Sequence, residues 1–423
     1  MSKDNVISFN DPESVTAYVT DTLTTLARQG AIQMLATGIE LEVRAFIQQH
    51  QSALDNGHNR LVRNGYLPER TVQTGIGDLP VKVPRVRDKH GEHKFISSII
   101  PPYMKRSATI EKLLPLLYLK GISTGDFAEV LAPIFGEEAK NLSPGVISRL
   151  KAEWENEYAA WNKRDLSRKH YVYWFADGIY LNARTEDANS CVLVIIGVTD
   201  DGSKELIAIE DGLRESKESW SGLLLSIKAR GLKISPKLAT GDGAMGFWAA
   251  LSEQFPDTKH QRCWFHKSGN VLDKLPKRSR AKAKSMLHNI WMAESKSDAI
   301  DAMNLFAATY KDKYPAAVEC LIKDQEELLE FYNYPAIHWQ HIRTTNPIES
   351  TFATVRHRTK RAKGAFSRTT ILTMVFKLCE NAQTSWLRIR GFERLAEVIS
   401  GIKFTNGLTD AELKKLEVDR NAA

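Results

Sequence analysis

Apolar positions recur at helical spacing from residue 14 to 50 (Val19, Leu23, Leu26, Met34, Leu35, Ile39, Val43, Phe46 and Ile47), which predicts one long amphipathic helix. The spacing then collapses in RNGYLPERTVQTGIGDLPVKVPRVRD. There, glycines, prolines and β-branched residues predict a short hairpin or extended arm with Gly77 and Asp78 in its turn. Lys82, Arg85, Arg87 and Lys89 give its second half a basic rim. Helical spacing returns between residues 107 and 160 as three short helices. The third opens at Ser143-Pro144, a hydroxyl cap followed by a proline whose missing N–H costs nothing in the first turn. Its apolar stripe is Val146, Ile147, Leu150, Trp154 and Tyr158, which leaves Ser148, Arg149, Lys151 and Glu155 facing outward. A trihelical unit of this kind fits helix-turn-helix DNA binding, with Arg149 and Lys151 as contacts. It fits an ordinary helical linker as well.

From residue 170 the period changes to that of strands. HYVYWFADGIYLNAR, SCVLVIIGVTD and KELIAIEDG are three consecutive strand-like runs. A helix (SKESWSGLLLSIKARG), a short strand (PKLAT) and a second helix (GDGAMGFWAALSEQF) follow. This order predicts an α/β core with a mixed sheet, the arrangement of RNase H-like cores. Residues 276–340 break the rhythm with three helical patterns and read as an all-α insertion, after which TTNPIESTFATVRHRTKRAK and residues 369–390 give two more helices. The expected organisation is a helical region (1–60), an extended arm (61–105), a helix-turn-helix-like domain (106–165), the catalytic core (166–275 and 341–403) split by the insertion (276–340), and a tail (404–423).

Composition excludes several classes. With 423 residues, 43% of them apolar and 26% charged, the chain is a globular protein of two to four domains. It has no run of about 18 apolar residues, so no transmembrane helix or membrane partner is expected. The N-terminus lacks the basic flank and apolar stretch of a signal peptide. The four cysteines lie far apart, which fits a reducing cytosol and a cytoplasmic location.

Charge sharpens the picture. The net charge is +7, yet residues 261–285 alone carry +7 and residues 356–368 carry +6, leaving −6 on the remainder. Two concentrated basic stretches on an otherwise acidic chain suggest a polyanion as partner. The residues in question include Arg262, Lys267, Lys277, Arg278 and Arg280 in the first stretch, and Arg356, Arg358, Lys360 and Arg361 in the second. Solvated helix faces would give the same count.

Three acids stand out by position. Asp177 interrupts an apolar alternation in the first strand, although an Asp-Gly turn would also put an acid there. Asp242 ends the short strand before a helix, where an N-cap is the plain role and functional sites also collect. Glu349 follows Asn346-Pro347 by the spacing of a capping box. Singly each has a structural explanation. Together they suit hard divalent cations, and two such ions can stabilise both oxygens of an in-line displacement at phosphorus. Arg356 and Lys360 fall on roughly the same helical face as Glu349.

FADGIY, ATGDGAMGFWAAL, QRCWFHKSGNVLDKLPK and TTNPIESTFATVRHRTKRAKG, in this order, resemble the insertion-sequence transposases of the Mutator superfamily, and the resemblance covers essentially the whole chain. It implies an RNase H-like catalytic domain whose DDE triad is Asp177, Asp242 and Glu349, with a helical insertion between the second and third acids. It implies two Mg²⁺ ions at that triad, replaceable by Mn²⁺, and double-stranded DNA as partner, both the terminal inverted repeats and the target. It also implies DNA cleavage followed by strand transfer, and a homodimer that handles two ends together. A structure-selective RNase H-like nuclease and a domesticated DNA-binding regulator are the rival functions.

The family signature Cys-x-x-His is matched by Cys263 and His266, read here as a structural or substrate-positioning pair. A zinc site with His260 lacks a second ligand pair at the required spacing. Trp291 reads either as insertion core or as a platform that stacks on an unpaired base; Trp264 and Trp339 are similarly open.

Overall fold

The computed structural model describes residues 12–50, 59–119, 122, 126–135, 144–180, 190–243, 245–361 and 367–422, and the chain divides into two compact units, Met1–Ile147 and Ser148–Ala423. In the first unit, helix α1 (Pro12–Gln49) precedes four short strands: β1 (Leu61–Tyr66), β2 (Arg70–Thr74), β3 (Gly77–Val81) and β4 (Pro84–Asp88). They pair antiparallel as β1–β4 and β2–β3. Ile39 of α1 packs with Val72, Val81, Val83 and Ile100 in a small core. The hairpin turn falls at Gly75 and Ile76. Gly77 and Asp78, expected in the turn, are paired with Thr74 and Gln73 instead. Thr74 closes this two-residue loop through its hydroxyl, which bonds the Gly77 carbonyl at 2.8 Å. The predicted α1 stripe is buried at Ile39 and Val43, whereas Leu23, Leu26 and Met34 are exposed.

Helices α2 (Ala108–Leu119) and α3 (Phe127–Phe135) follow, and the unit boundary falls inside α4 (Pro144–Trp161). Ser143, the expected cap, lies outside the described residues. The second half of α4 is tied into the second unit. The Tyr158 hydroxyl donates to the Ile209 carbonyl at 2.8 Å, and both Tyr158 and Trp161 pack against Phe376.

The second unit is built on a five-stranded mixed sheet in the order β7-β6-β5-β8-β9. Strands β5 (Tyr171–Tyr180), β6 (Ser190–Thr199) and β7 (Lys204–Leu213) form an antiparallel meander, and β8 (Leu238–Gly241) and β9 (Lys259–Arg262) add in parallel. Helices α5 (Lys217–Ala229) and α6 (Met245–Gln254) cover one face, where Trp174, Ala176, Leu193 and Ile195 meet Trp220, Leu224, Phe247 and Leu251. Alternation along β5 turns Tyr173, Phe175 and Asp177 to the opposite face. Tyr173 there bonds His338 at 2.9 Å.

After β9 come α7 (Trp264–Asp273), α8 (Lys277–Trp291), α9 (Lys296–Tyr310), α10 (Pro315–Ile322), α11 (Gln325–Leu328) and α12 (Trp339–Ile342). This helical block has its own apolar interior, including Leu287, Ile290, Met303, Phe306 and Leu321. Helices α13 (Asn346–Arg361) and α14 (Arg368–Gln383) then return to the sheet, with Ile348, Phe352 and Val355 of α13 buried. Helix α15 (Leu395–Ile399) follows. Residues 404–423, expected as a tail, contain a small hairpin of β10 (Phe404–Thr405) and β11 (Leu408–Thr409) and helix α16 (Asp410–Ala422). The hairpin is docked through backbone bonds of Gly407 to Tyr332 and Ala336.

Candidate active site

Asp177, Asp242 and Glu349 come from three elements to one end of the sheet. Asp177 lies within β5 and is only 6% exposed. One carboxylate oxygen accepts the Gly178 N–H at 2.9 Å; the other is buried with no hydrogen-bond partner. Asp242 follows directly on β8. Its carboxylate takes the Gly243 N–H at 2.5 Å and its carbonyl takes the Trp248 indole N–H at 3.0 Å, which pins the strand end to α6.

Glu349 sits in the first turn of α13. That helix starts one residue earlier than a capping box on Asn346 requires, because the Glu349 N–H bonds the Thr345 carbonyl at 3.1 Å. The Glu349 carboxylate is thereby left to face His266, whose Nε2 is 3.2 Å away. His266 Nδ1 lies 3.9 Å from Asp242, so one imidazole stands between the second and third acids. Cys263, fully buried at the start of α7, accepts the Thr345 N–H at 3.4 Å and ties the starts of α7 and α13 together. The ligand atoms of Cys263, His266 and Glu349 all lie within 4.8 Å of one another. His260 packs on Trp248.

A cavity of about 500 Å³ opens beside these acids, lined by Tyr180, Arg214, Glu215, Asp242, Arg262 and Asn270. Glu215 escaped the sequence reading, although it carries the signal that drew attention to Asp242, an acid between a strand end and a helix start. Arg262, the last residue of β9, is mostly buried and lies against Gly243, where a side chain of any size would collide with its guanidinium.

The crowding of acids is visible in their protonation. Burial, with repulsion from Glu215 and Asp242 outweighing part of the attraction of His266, raises Asp177 to about 7. Burial and the nearby Asp242 raise Glu215 to about 7 as well. Burial also raises Glu349, against the pull of His266 and Arg356. For His266 burial acts downward, but the adjacent Cys263 and the carboxylates of Asp242 and Asp177 lift it to about 9.

These shifts share one sign. A carboxyl raised to about 7 retains a proton that the unfolded chain has lost near pH 4, so the penalty on the fold grows across that window and is complete above it. The His266 contribution is full below about pH 6.5 and disappears as pH rises through about 9. The melting temperature in chelator should therefore be higher at about pH 5.5 than at about pH 8.5, and Asp177→Asn should reduce the difference. A difference as large in Asp177→Asn as in wild type would contradict the crowding.

Comparison with known proteins decides the family. A family model described as "Transposase, Mutator family" matches residues 8–389. The transposase for insertion sequence element IST2 of Acidithiobacillus ferrooxidans is 50% identical over 280 residues, covering 66% of this chain and 95% of that protein. The transposase for IS6120 of Mycolicibacterium smegmatis is 49% identical over 298 residues, covering 70% and 92%. The chain belongs to the Mutator family of transposases. It is thus a transposase of insertion sequence elements, an enzyme that cuts and joins DNA.

The basic residues of this transposase separate on inspection. Lys267 was expected on the DNA-facing edge; it is instead 0% exposed, with Nζ 2.5 Å from Asp324. A lysine with no exposed surface, paired with Asp324, cannot also hold DNA. Arg262 lines the cavity and lies 3.4 Å from the same Asp324. Lys277 and Arg278 are exposed at the start of α8, whereas Arg280 turns back to the Leu275 carbonyl and Asp273. Arg356 is exposed on α13; the side chains of Arg358, Lys360 and Arg361 on the same helix lie outside the described residues. On α4, Arg149 is exposed and pairs along the helix with Glu153, and Lys151 is half-buried.

The tryptophans of the transposase are engaged. Trp264 is fully buried and donates to the Leu328 carbonyl at 2.8 Å, which removes it as a stacking platform. Trp339 donates to the Tyr334 carbonyl. Trp291 is half-buried, with the Arg343 guanidinium 5.0 Å from its ring and Trp264 beside it. Among the described residues no helix is long and apolar enough to cross a membrane.

Proposed function

We propose that this transposase works by DDE chemistry on an RNase H-like core interrupted by the helical block α8–α12, with Asp177, Asp242 and Glu349 as the catalytic acids. The observation that carries this reading is the approach of three carboxylates, from β5, the end of β8 and the start of α13, with one imidazole between the second and the third. The all-oxygen donor set suits hard cations, and the unpartnered buried oxygen of Asp177 is an acceptor that a divalent cation would satisfy. Asp177, Asp242 and Glu349 would hold the ions, two Mg²⁺ or Mn²⁺. The bound ions would supply charge neutralisation at the scissile phosphate and a lowered pKa on the attacking oxygen.

The reaction is two successive displacements at phosphorus: water at the element end, then the freed 3′-hydroxyl at the target. Because these need no covalent protein–DNA intermediate, the chain's task is to hold and orient. His266, between Asp242 and Glu349, keeps the two acids in place. Arg262 at the cavity wall, Lys277 and Arg278 at the start of α8, and Arg356 on α13 would hold phosphates on either side. The first unit and α4, with Arg149 and Lys151, would recognise the terminal inverted repeats. The exposed Leu23, Leu26 and Met34 of α1 support a homodimer formed through that helix.

The test uses purified protein, Mg²⁺ or Mn²⁺ and labelled DNA carrying the ends of the element. Metal-dependent nicking at the end, followed by covalent joining to a second duplex, is expected. Cleavage that never proceeds to joining would replace this reading with the nuclease, and binding without cleavage would replace it with the regulator.

A further inference from the structure

We propose that Glu215 is a fourth carboxylate of the metal site, a ligand that reaches the acids from the face of the sheet opposite Asp177. This assignment rests on the DDE reading above. Three independent features of the chain are arranged for it.

The first is the backbone that aims it. Arg214, immediately before Glu215, has φ +62, a left-handed conformation unfavourable for a residue with a side chain. The chain leaves β7, takes this turn, and enters α5 through the Ser216 cap, whose hydroxyl accepts the Ser219 N–H at 3.2 Å.

The second is the space kept for it. A Cβ on Gly178 would lie 2.4 Å from a Glu215 carboxylate oxygen, so the residue directly after Asp177 is bare where the acid must pass. A Cβ on Gly246 would fall 2.5–2.6 Å from the backbone of residues 215–217, so the start of α6 is bare where it meets the same turn. These two close approaches bring Glu215 to Gly178, next to Asp177 in β5, and to the start of α6, just after Asp242.

The third is what it meets. Glu215 and Asp242 line the same cavity, and the carboxylate of Glu215 is mostly buried without a lysine or arginine salt bridge among the described residues. One position before Gly178 on β5, a buried Asp177 oxygen has no hydrogen-bond partner. Acids gathered this closely repel one another, and a structural carboxylate would have been given a cation or a set of N–H donors. A bound divalent ion resolves both shortages at once.

The experiment measures Mn²⁺ binding by calorimetry, and melting temperature with and without Mn²⁺, on the full chain without DNA. The variants are Glu215→Gln, Gly178→Ala and Asp242→Asn. With one carboxylate repulsion removed, Glu215→Gln should melt in chelator at or above the wild-type temperature. It should also bind Mn²⁺ at least about tenfold more weakly and lose most of the Mn²⁺-induced rise. Gly178→Ala should weaken Mn²⁺ binding although it deletes no ligand, because its methyl group displaces Glu215. Wild-type Mn²⁺ binding by Glu215→Gln, with binding reduced in Asp242→Asn, would overturn the assignment and leave the triad standing. Wild-type binding by both would overturn the triad as a metal site together with it. A Glu215→Gln protein that melts well below wild type in chelator would mark the acid as structural and also overturn the assignment.

Discussion

Asp242→Asn should abolish end cleavage and strand joining together, by about 10³-fold or more each, while affinity for end DNA in chelator stays near wild type. The replacement keeps the size of the side chain and an oxygen for the Gly243 N–H, so the junction of β8 and α6 survives. What is lost is the negative charge. A catalytic metal contributes several kcal/mol of charge stabilisation, and at about 1.36 kcal/mol per decade this amounts to some three orders of magnitude. Glu349→Gln should behave in the same way and additionally weaken the contact with His266. Single-turnover assays on unnicked and pre-nicked ends separate the two steps. If Asp242→Asn cleaves normally and fails only to join, the two reactions do not share one set of acids.

Asp324→Ala should be among the most destabilising single changes in the second unit, at about 3–5 kcal/mol, because it leaves the fully buried Lys267 ammonium without its counter-charge. Burial already lowers the Lys267 pKa against the pull of Asp324, so removing Asp324 pushes the buried amine further toward its neutral form. Lys267→Met removes the charge and keeps the apolar stem; it should cost less than about 1.5 kcal/mol. Asp324 then keeps Arg262, 3.4 Å away, as its partner. Urea unfolding of both variants provides the comparison, and equal losses would contradict the account. Lys267→Met should also leave DNA affinity unchanged, in contrast with Lys277→Ala.

The Lys267 contrast explains how far the sequence could be read. The three acids were legible because each disturbs a local pattern: Asp177 breaks an apolar alternation, Asp242 closes a strand, and Glu349 opens a helix. The meander and the parallel strand β8 were legible from period and length, and the helical block from its three apolar stripes; the four-residue β9, with its polar sequence KHQR, was not. A charge count carries no burial, so Lys267 looked like its exposed neighbours; its partner Asp324 lies 57 residues further on. Glu215 was hidden for a related reason. Its approach to Asp177 depends on a left-handed Arg214 and on two bare glycines in other elements, none of which leaves a periodic trace. The α1 stripe predicted burial at Leu23, Leu26 and Met34, but none of the described residues of the first unit covers them.

The long interval between the second and third acids bears on how the enzyme is born. All five strands have been synthesised by Arg262, whereas α13, which covers β5 with Ile348, Phe352 and Val355, begins at Asn346. At roughly 5–20 residues per second the ribosome needs about 4–17 seconds to cross that gap. During that time the nascent sheet has one face uncovered, and the helical block must fold on its own interior before the chain can return. A message broken anywhere in the helical block would therefore yield the strands, Asp177 and Asp242, but neither Glu349 nor the lid over β5. On the proposed triad, such a fragment would lack its third acid and should not cut DNA.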